Sequence, residues 1–84
     1  MNHTLKIKEK FYFDIARGKK TFEIRKNDRD YKVGDLIKFV DTNGKDFSDF
    51  AYRVYEITYI LTHADFEPIP EDYVVFSIKE HEND

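Results

Sequence analysis

Gly18-Lys19-Lys20-Thr21-Phe22-Glu23-Ile24-Arg25-Lys26-Asn27-Asp28-Arg29 is the segment on which the interpretation of this sequence depends. After the glycine the segment alternates as a β-strand does, so that Phe22 and Ile24 share one face. Thr21, Glu23 and Arg25 share the other face. The alternation predicts a strand that buries Phe22 and Ile24 in the core and turns its charged face into a cleft near the end of a preceding helix.

Size and composition indicate one small domain, residues 1–84. The chain has 84 residues and no cysteine, and eight Phe and six Tyr supply large apolar side chains. A chain this short buries only about 60% of its unfolded surface, so its core depends on such side chains. The lack of cysteine fits a reducing compartment, and no apolar run approaches the ~20 residues that span a bilayer. We therefore expect a cytoplasmic protein without a membrane partner.

Positive charge is concentrated in one part of an otherwise acidic chain. The formal net charge is −3, which argues against a protein that coats nucleic acid non-specifically. Residues 17–32 carry seven basic and three acidic side chains, a net of +4, so the rest of the chain carries −7. We interpret the basic segment as a local anion-binding patch on an acidic body. The alternative is a solvated loop of mixed charges.

Hydrophobic periodicity predicts one early helix and about five or six mostly antiparallel strands. Gly18 stands where the residue after a helix is often glycine, and Asn43-Gly44 is a strong hairpin signal. Short strands separated by turns favour a mainly β (α+β) fold, a small closed or nearly closed barrel with the helix packed on it. The long fourth strand is expected to bend or to carry a bulge. The predicted elements are strands His3–Lys8, Thr21–Lys26, Leu36–Val40, Ala51–Leu61 and Tyr73–Ile78 and a helix Glu9–Arg17.

The spacing of four residues in this segment resembles the motif of a known family. Gly18, Lys20, Glu23 and Arg25 fit the pattern Gly-x-Lys-x-x-Glu-x-Arg, and Tyr31–Asp35 (Tyr-Lys-Val-Gly-Asp) fits the turn before the next strand. Nearly the whole chain resembles the ASCH domain (activating signal cointegrator homology) of the PUA-like superfamily, in a compact bacterial and phage branch of unknown function. The resemblance implies a PUA-like β-barrel, a cleft between helix and barrel that the motif lines, and the binding of RNA or a nucleotide.

The charged motif supplies the candidate ligand-binding residues. Lys20 and Arg25 can reach phosphates, Arg25 can also stack on a base, and Glu23 can accept a hydrogen bond from a base amino group. Lys26 and Arg29 are expected at the rim of the cleft. The alternative is an internal ion-pair network, in which these charges only hold the fold together. The predicted ligand-binding set is Lys20, Thr21, Glu23, Arg25, Lys26 and Arg29.

Three functions from different classes fit the motif, and we favour a binding module for RNA or a nucleotide over an enzyme. The second is a nucleoside or amide hydrolase, because one branch of ASCH proteins acts on an acylated cytidine. Lys20 matches the motif lysine of that branch, and Glu23 stands at its threonine position. In such an enzyme Glu23 would be the general base and Lys20 would stabilise the oxyanion. The third is a protein-interaction module, a transcription coactivator-like adaptor.

Neither a metal site nor a cofactor is predicted. The three histidines, His3, His63 and His81, lie far apart in sequence without a ligand spacing. The chain has only three glycines, too few for a glycine-rich loop that cradles phosphates. Two tyrosines, Tyr31 and Tyr73, are further candidates as surfaces on which bases stack.

Overall fold

The computed structural model describes residues 1–47 and 53–81 of the chain. These residues form five strands and one helix, as the alternation and the helical spacing predict. The start of the predicted strand Ala51–Leu61 lies outside the described residues. In chain order the elements are β1 (Asn2–Lys6), α1 (Glu9–Ala16), β2 (Phe22–Lys26), β3 (Leu36–Val40), β4 (Tyr55–Thr62) and β5 (Tyr73–Glu80).

The five strands form a single sheet in the order β1-β3-β4-β5-β2. β1 and β3 are parallel, and the other three pairs are antiparallel. The sheet curls into a half-barrel, so the mainly β class and the strand number are confirmed. β1 and β2 are the two edges of this sheet, and α1 connects them. We call the gap between these two edge strands the seam.

The ends of α1 and β3 follow the local sequence signals. Gly18 adopts φ +75°, a left-handed conformation that costs glycine little, and it ends the helix where the sequence predicts. After β3, Asn43 and Gly44 form a turn in which the Asp41 carboxylate accepts hydrogen bonds from the N–H groups of Asn43 and Lys45. The predicted irregularity of the long strand is also present, as a shift of register between Ile57 and Tyr59.

The core lies on the concave face of the sheet and is covered by α1. The helix buries Tyr12 and Ile15, and the Tyr12 ring stacks on Phe47 with centroids 4.0 Å apart. Because an eight-residue helix is marginal in isolation, this packing is what holds α1 in place. The buried cluster consists of Leu5, Ile7, Tyr12, Ile15, Tyr31, Ile37, Phe39, Tyr55, Ile57, Val74, Phe76 and Ile78.

The two faces of strand β2 point in the opposite directions to those that the sequence predicts. Phe22 and Ile24 are 51% and 54% exposed, whereas Glu23 is only 7% exposed. The prediction that Phe22 and Ile24 belong to the core is therefore wrong. In the sheet register Glu23 lies opposite Phe76, a core residue, so the charged face of β2 is the concave one. A strand's alternation sorts its side chains into two faces, and here the neighbouring strand determines which face is inward.

Among the described residues, no helix combines the length and the apolar character needed to cross a membrane.

Candidate functional site

Three charged side chains of the motif meet on the concave face of β2. Lys20 Nζ lies 3.1 Å from Glu23 Oε2, and Arg25 Nη2 lies 3.5 Å from Glu23 Oε1. Glu23 and Arg25 come together because they are two residues apart on one strand face. Lys20 reaches them from the loop after α1. All three side chains are largely shielded from solvent, which strengthens their mutual attraction relative to exposed pairs.

One oxygen of Glu23 is left without a hydrogen bond. Oε1 is buried and has no hydrogen-bond partner among the described residues. The nearby Arg25 guanidinium is close enough for an ion pair, at 3.5 Å, but does not form a hydrogen bond. An unpaired buried acceptor destabilises a protein by about 1–3 kcal/mol. Such a group is therefore a natural place for a ligand N–H to bind.

Arg25 also bridges the seam. Its Nη2 donates a 2.9 Å hydrogen bond to the backbone carbonyl of Lys6, at the end of β1. One guanidinium thus joins the two edges of the sheet, which are not paired with each other in the part of the chain that the structure describes. A guanidinium suits this position because its planar group of five donors can serve two partners at once.

A cavity opens at the seam beside Arg25. It has a volume of about 250 Å³, and three of its six lining side chains are basic while one is acidic. Such a charge balance favours an anionic ligand on an otherwise acidic protein. The cavity is large enough for part of a nucleotide but small for a drug-sized molecule. Its lining residues are Leu5, Arg25, Lys26, Asp28, Arg29 and Tyr31.

Tyr31 lies at the edge of this cavity but is not a stacking surface. Its ring is buried and packs at a tilt against His3 and Phe76, with centroids 4.9 and 5.1 Å apart. Burial raises the pKa of the Tyr31 phenol, although the positive charges of Arg25 and Arg29 act in the opposite direction. The phenol is therefore neutral at physiological pH. Of the two tyrosines considered for stacking, only Tyr73 is exposed enough.

The six predicted site residues fall into three groups. Arg25, Lys26 and Arg29 line the cavity, and Lys20 and Glu23 join it through their contacts with Arg25. Thr21 is exposed, and its carbonyl accepts a hydrogen bond from the Ile78 N–H, which ties it to the sheet and not to the cavity.

Sequence reasoning missed the part of the site that β1 supplies. Leu5 lines the cavity and the Lys6 carbonyl anchors Arg25. No local signal marks either group, because Leu5 reads as an ordinary core residue and every residue has a backbone carbonyl. Only the topology, which places β1 and β2 at opposite edges of one curled sheet, brings these groups to the motif.

Comparison with known proteins identifies the family. Residues 2–78 match the profile of a family described as "Domain of unknown function (DUF3850)". The chain belongs to this family. A solved structure, titled "Crystal structure of hypothetical protein PH0355", is similar in fold, with a TM-score of 0.66 over 96% of this chain and 100% of that chain. The two sequences are 18% identical, so the likeness concerns the fold alone. No curated protein matches the chain.

This DUF3850 domain has a second buried polar pair, behind Tyr31. His3 Nε2 lies 2.8 Å from Asp35 Oδ2, and both side chains are buried. The same carboxylate accepts the Lys32 N–H and the amino group of Met1. Burial alone would raise the pKa of Asp35, but these hydrogen bonds outweigh it and hold the pKa below its ordinary value. The pair fixes β1 to the loop before β3 and keeps Tyr31 in place.

Proposed function

We propose that this DUF3850 domain is a small binding module for RNA or a nucleotide, with its ligand in the charged cleft at the seam. The observation that carries the proposal is the cavity beside Arg25, where Arg25, Lys26 and Arg29 face a single acid. Basic side chains grouped in this way bind phosphate oxygens. An acidic chain that places three cations around one concave cavity has a localised anion site, in contrast to a diffuse basic surface.

The cluster next to the cavity can contribute selectivity for the base. Glu23 Oε1 is an acceptor without a hydrogen bond, and carboxylates accept hydrogen bonds from base amino groups. Lys20, already 3.1 Å from the other oxygen of Glu23, can donate to a base carbonyl. In this arrangement the arginines hold the phosphate while Glu23 and Lys20 contact the base. The ligand replaces part of the internal ion pairing that balances these charges in its absence.

The resemblance to the ASCH domain supports the same proposal. The motif residues Gly18, Lys20, Glu23 and Arg25 are those on which the resemblance rests, and three of them form the charged cluster. We therefore propose further that this domain is a compact relative of the ASCH domains, with a PUA-like arrangement of its strands. Such a relationship would place the ligand between helix and sheet, next to the charged cluster on the concave face of β2, whereas the cavity at the seam is lined by β1, β2 and the loop that follows β2.

Fluorescence titration tests the proposal directly. The protein is titrated with labelled single-stranded RNA, single-stranded DNA and nucleoside monophosphates at low salt. Arg29→Ala removes a cavity cation and should weaken binding tenfold or more. Lys10→Ala removes the same charge from an exposed position on α1 and should leave binding nearly unchanged. The affinity should also fall with rising salt, by roughly one power of the salt concentration per phosphate contacted.

The proposal fails if none of these probes binds at tens of micromolar. It fails equally if Arg29→Ala and Lys10→Ala weaken binding to the same extent, because that would show a general charge effect with no defined site.

A hydrolase is the second candidate, and the meeting of Lys20 with Glu23 favours it. A general base needs an acceptor atom with a free lone pair, and Glu23 Oε1 is a buried oxygen without a hydrogen bond among the described residues, which a substrate reaches by displacing part of the ion pairing around it. Lys20 is placed to stabilise an oxyanion formed next to that carboxylate. Incubation with N4-acetylcytidine and related acylated nucleosides tests this function. Turnover that Glu23→Gln abolishes would establish the hydrolase. If no substrate is turned over, the hydrolase is rejected and the binding module remains as the proposed function.

A further inference from the structure

The convex face of the sheet carries an exposed aromatic surface on β2, β5 and β4. Phe22 is 51% exposed, Tyr59 is 64% exposed and Tyr73 is 37% exposed. Ile24, also exposed, lies among them. Large apolar side chains are normally buried, and a group of them on one exposed face commonly marks an interaction site.

The sheet register places these side chains next to one another. Phe22 lies opposite Ser77, which lies opposite Tyr59, so the two rings are two strands apart, about 10 Å. The row beside them is Ile24, Val75 and Leu61, which is apolar throughout. Ser77, between Phe22 and Tyr59, has a small side chain, whose hydroxyl lies 2.7 Å from Thr58 Oγ1. The result is a shallow surface with an aromatic ring on each side, which we call the aromatic face.

Positive charge borders the aromatic face along β2. Lys20 Nζ lies 5.0 Å from the centre of the Phe22 ring. Lys26, opposite Tyr73 in the register, also lines the cavity at the seam. The two lysines therefore connect the cleft on one side of β2 with the aromatic face on the other. Glu71 and Asp72 precede Tyr73 at the end where Lys26 lies, so that end carries both signs of charge, whereas the end with Phe22 has the Lys20 ammonium beside its ring.

We propose that the aromatic face is a stacking platform for single-stranded nucleic acid, whose backbone crosses β2 from the cleft. This inference rests on the proposed function, because the cleft supplies the first contact. Phe22 and Tyr59 each offer a ring on which a base stacks, as aromatic side chains do in other single-strand binding proteins. Lys26 contacts a phosphate where the strand passes over β2, while Lys20, beside the Phe22 ring, contacts the base held in the cleft. The ligand is thus a strand of several nucleotides, in contrast to a single nucleotide.

Aromatic rings bordered by lysines favour nucleic acid over a protein partner on this face. A protein interface gains most from a dry apolar centre with hydrogen-bonded anchors. Here the aromatic residues are spread over three strands with Ser77 between two of them, and the bordering charges have the sign that phosphates require. Rings about 10 Å apart can each take one base of an extended strand.

Binding of a labelled ten-nucleotide single-stranded RNA and of nucleoside monophosphates, compared across variants, tests the inference. The double variant Phe22→Ala with Tyr59→Ala should weaken binding of the ten-nucleotide RNA by tenfold or more, because each stacked base loses its ring. Binding of the monophosphates, which need only the cleft, should not change. Phe13→Ala, which removes an exposed aromatic ring from α1, is the matched control and should leave both affinities unchanged.

The outcomes separate this inference from the proposed function. If Arg29→Ala weakens the RNA but the double variant does not, the platform is overturned and the cleft stands. If the double variant weakens the RNA but Arg29→Ala does not, stacking on the aromatic face stands, whereas the cleft function and the path of the strand from the cleft are overturned. If neither variant alters RNA binding and the double variant instead abolishes self-association in sedimentation, the aromatic face is a protein interface and the platform is overturned.

Discussion

The two edge strands of the sheet face the same seam with opposite patterns. β1 follows the usual rule that polar side chains face outward and apolar ones inward. Asn2, Thr4 and Lys6 are exposed, and Leu5 is buried on the concave face together with His3. β2 reverses the rule, with a buried glutamate on the concave face and Phe22 exposed on the convex one. The reversal places charge on the concave side at the open seam and places the Phe22 ring on the outer surface of the sheet.

The difference teaches that an edge strand need not contribute to the core to be part of the sheet. β2 is held by its ladder with β5, from Phe22 opposite Ser77 to Lys26 opposite Tyr73. Its side chains are therefore free to serve another purpose. β1 has no such freedom, because Leu5 is 1% exposed and lies in the main cluster. Substitutions on the two strands should accordingly separate stability from binding.

The largest expected effect is on β1. Leu5→Ala removes a fully buried side chain and leaves a cavity, so we expect the free energy of unfolding to fall by about 3 kcal/mol. Urea denaturation followed by circular dichroism measures it. Thr4→Ala, on the exposed face of the same strand, is the control and should change stability by less than about 0.5 kcal/mol. A loss below about 1 kcal/mol for Leu5→Ala would mean that β1 does not anchor the core.

The second effect concerns the buried pair of His3, on β1, and Asp35, in the loop before β3. Asp35→Asn removes the charge that His3 and the Lys32 N–H stabilise, and we expect a loss of about 2 kcal/mol at neutral pH. Because the pKa of Asp35 is lower in the folded state than its ordinary value of 3.8, its contribution is present above that value. It is lost as the pH falls through the folded value.

Urea denaturation measured from pH 7 down to pH 2 tests whether the contribution of Asp35 to stability is lost as the pH falls. The free energy of unfolding of the native protein should fall below about pH 4, and that of Asp35→Asn should fall less steeply over the same acid range. If the free energy of unfolding falls equally steeply with pH in both proteins, other carboxylates govern the acid sensitivity.

The sequence alone was enough to predict the elements and which side chains of β2 share a face, but not which face of β2 points toward the core. Leu36–Val40 as a strand, Gly18 as the helix stop and the bulge in β4 all follow from local signals. The orientation of β2 does not, because alternation is symmetrical between its faces and the usual tie-breaker, that apolar side chains point inward, fails beside an open seam. The two groups that β1 contributes to the site, Leu5 and the Lys6 carbonyl, could not be predicted either, because only the sheet topology brings them to β2.

A smaller effect is expected for the residue that bridges the seam. Arg25→Ala loses the hydrogen bond to the Lys6 carbonyl and one neighbour of Glu23, so we expect a stability loss of about 1 kcal/mol. Arg25→Lys keeps the charge but not the planar fork of donors. If the bridge matters, lysine should recover less than half of the loss in urea denaturation. Full recovery by lysine would show that charge near Glu23, and not the bridge, is what counts.

The smallest effect should come from the convex face of β2. Phe22→Ala and Ile24→Thr alter side chains that are half exposed, so each should change the free energy of unfolding by less than about 1 kcal/mol. The backbone ladder with β5 is untouched by either change, and threonine retains the β-branched shape that suits a strand. Urea denaturation of both variants beside Leu5→Ala measures the contrast between the two edge strands. A loss of about 3 kcal/mol for Phe22→Ala would mean that the ring is covered in solution, as it would be within a self-associated protein. In that case the loss should shrink when the protein is diluted, because the stability of an assembly depends on its concentration whereas that of a monomer does not.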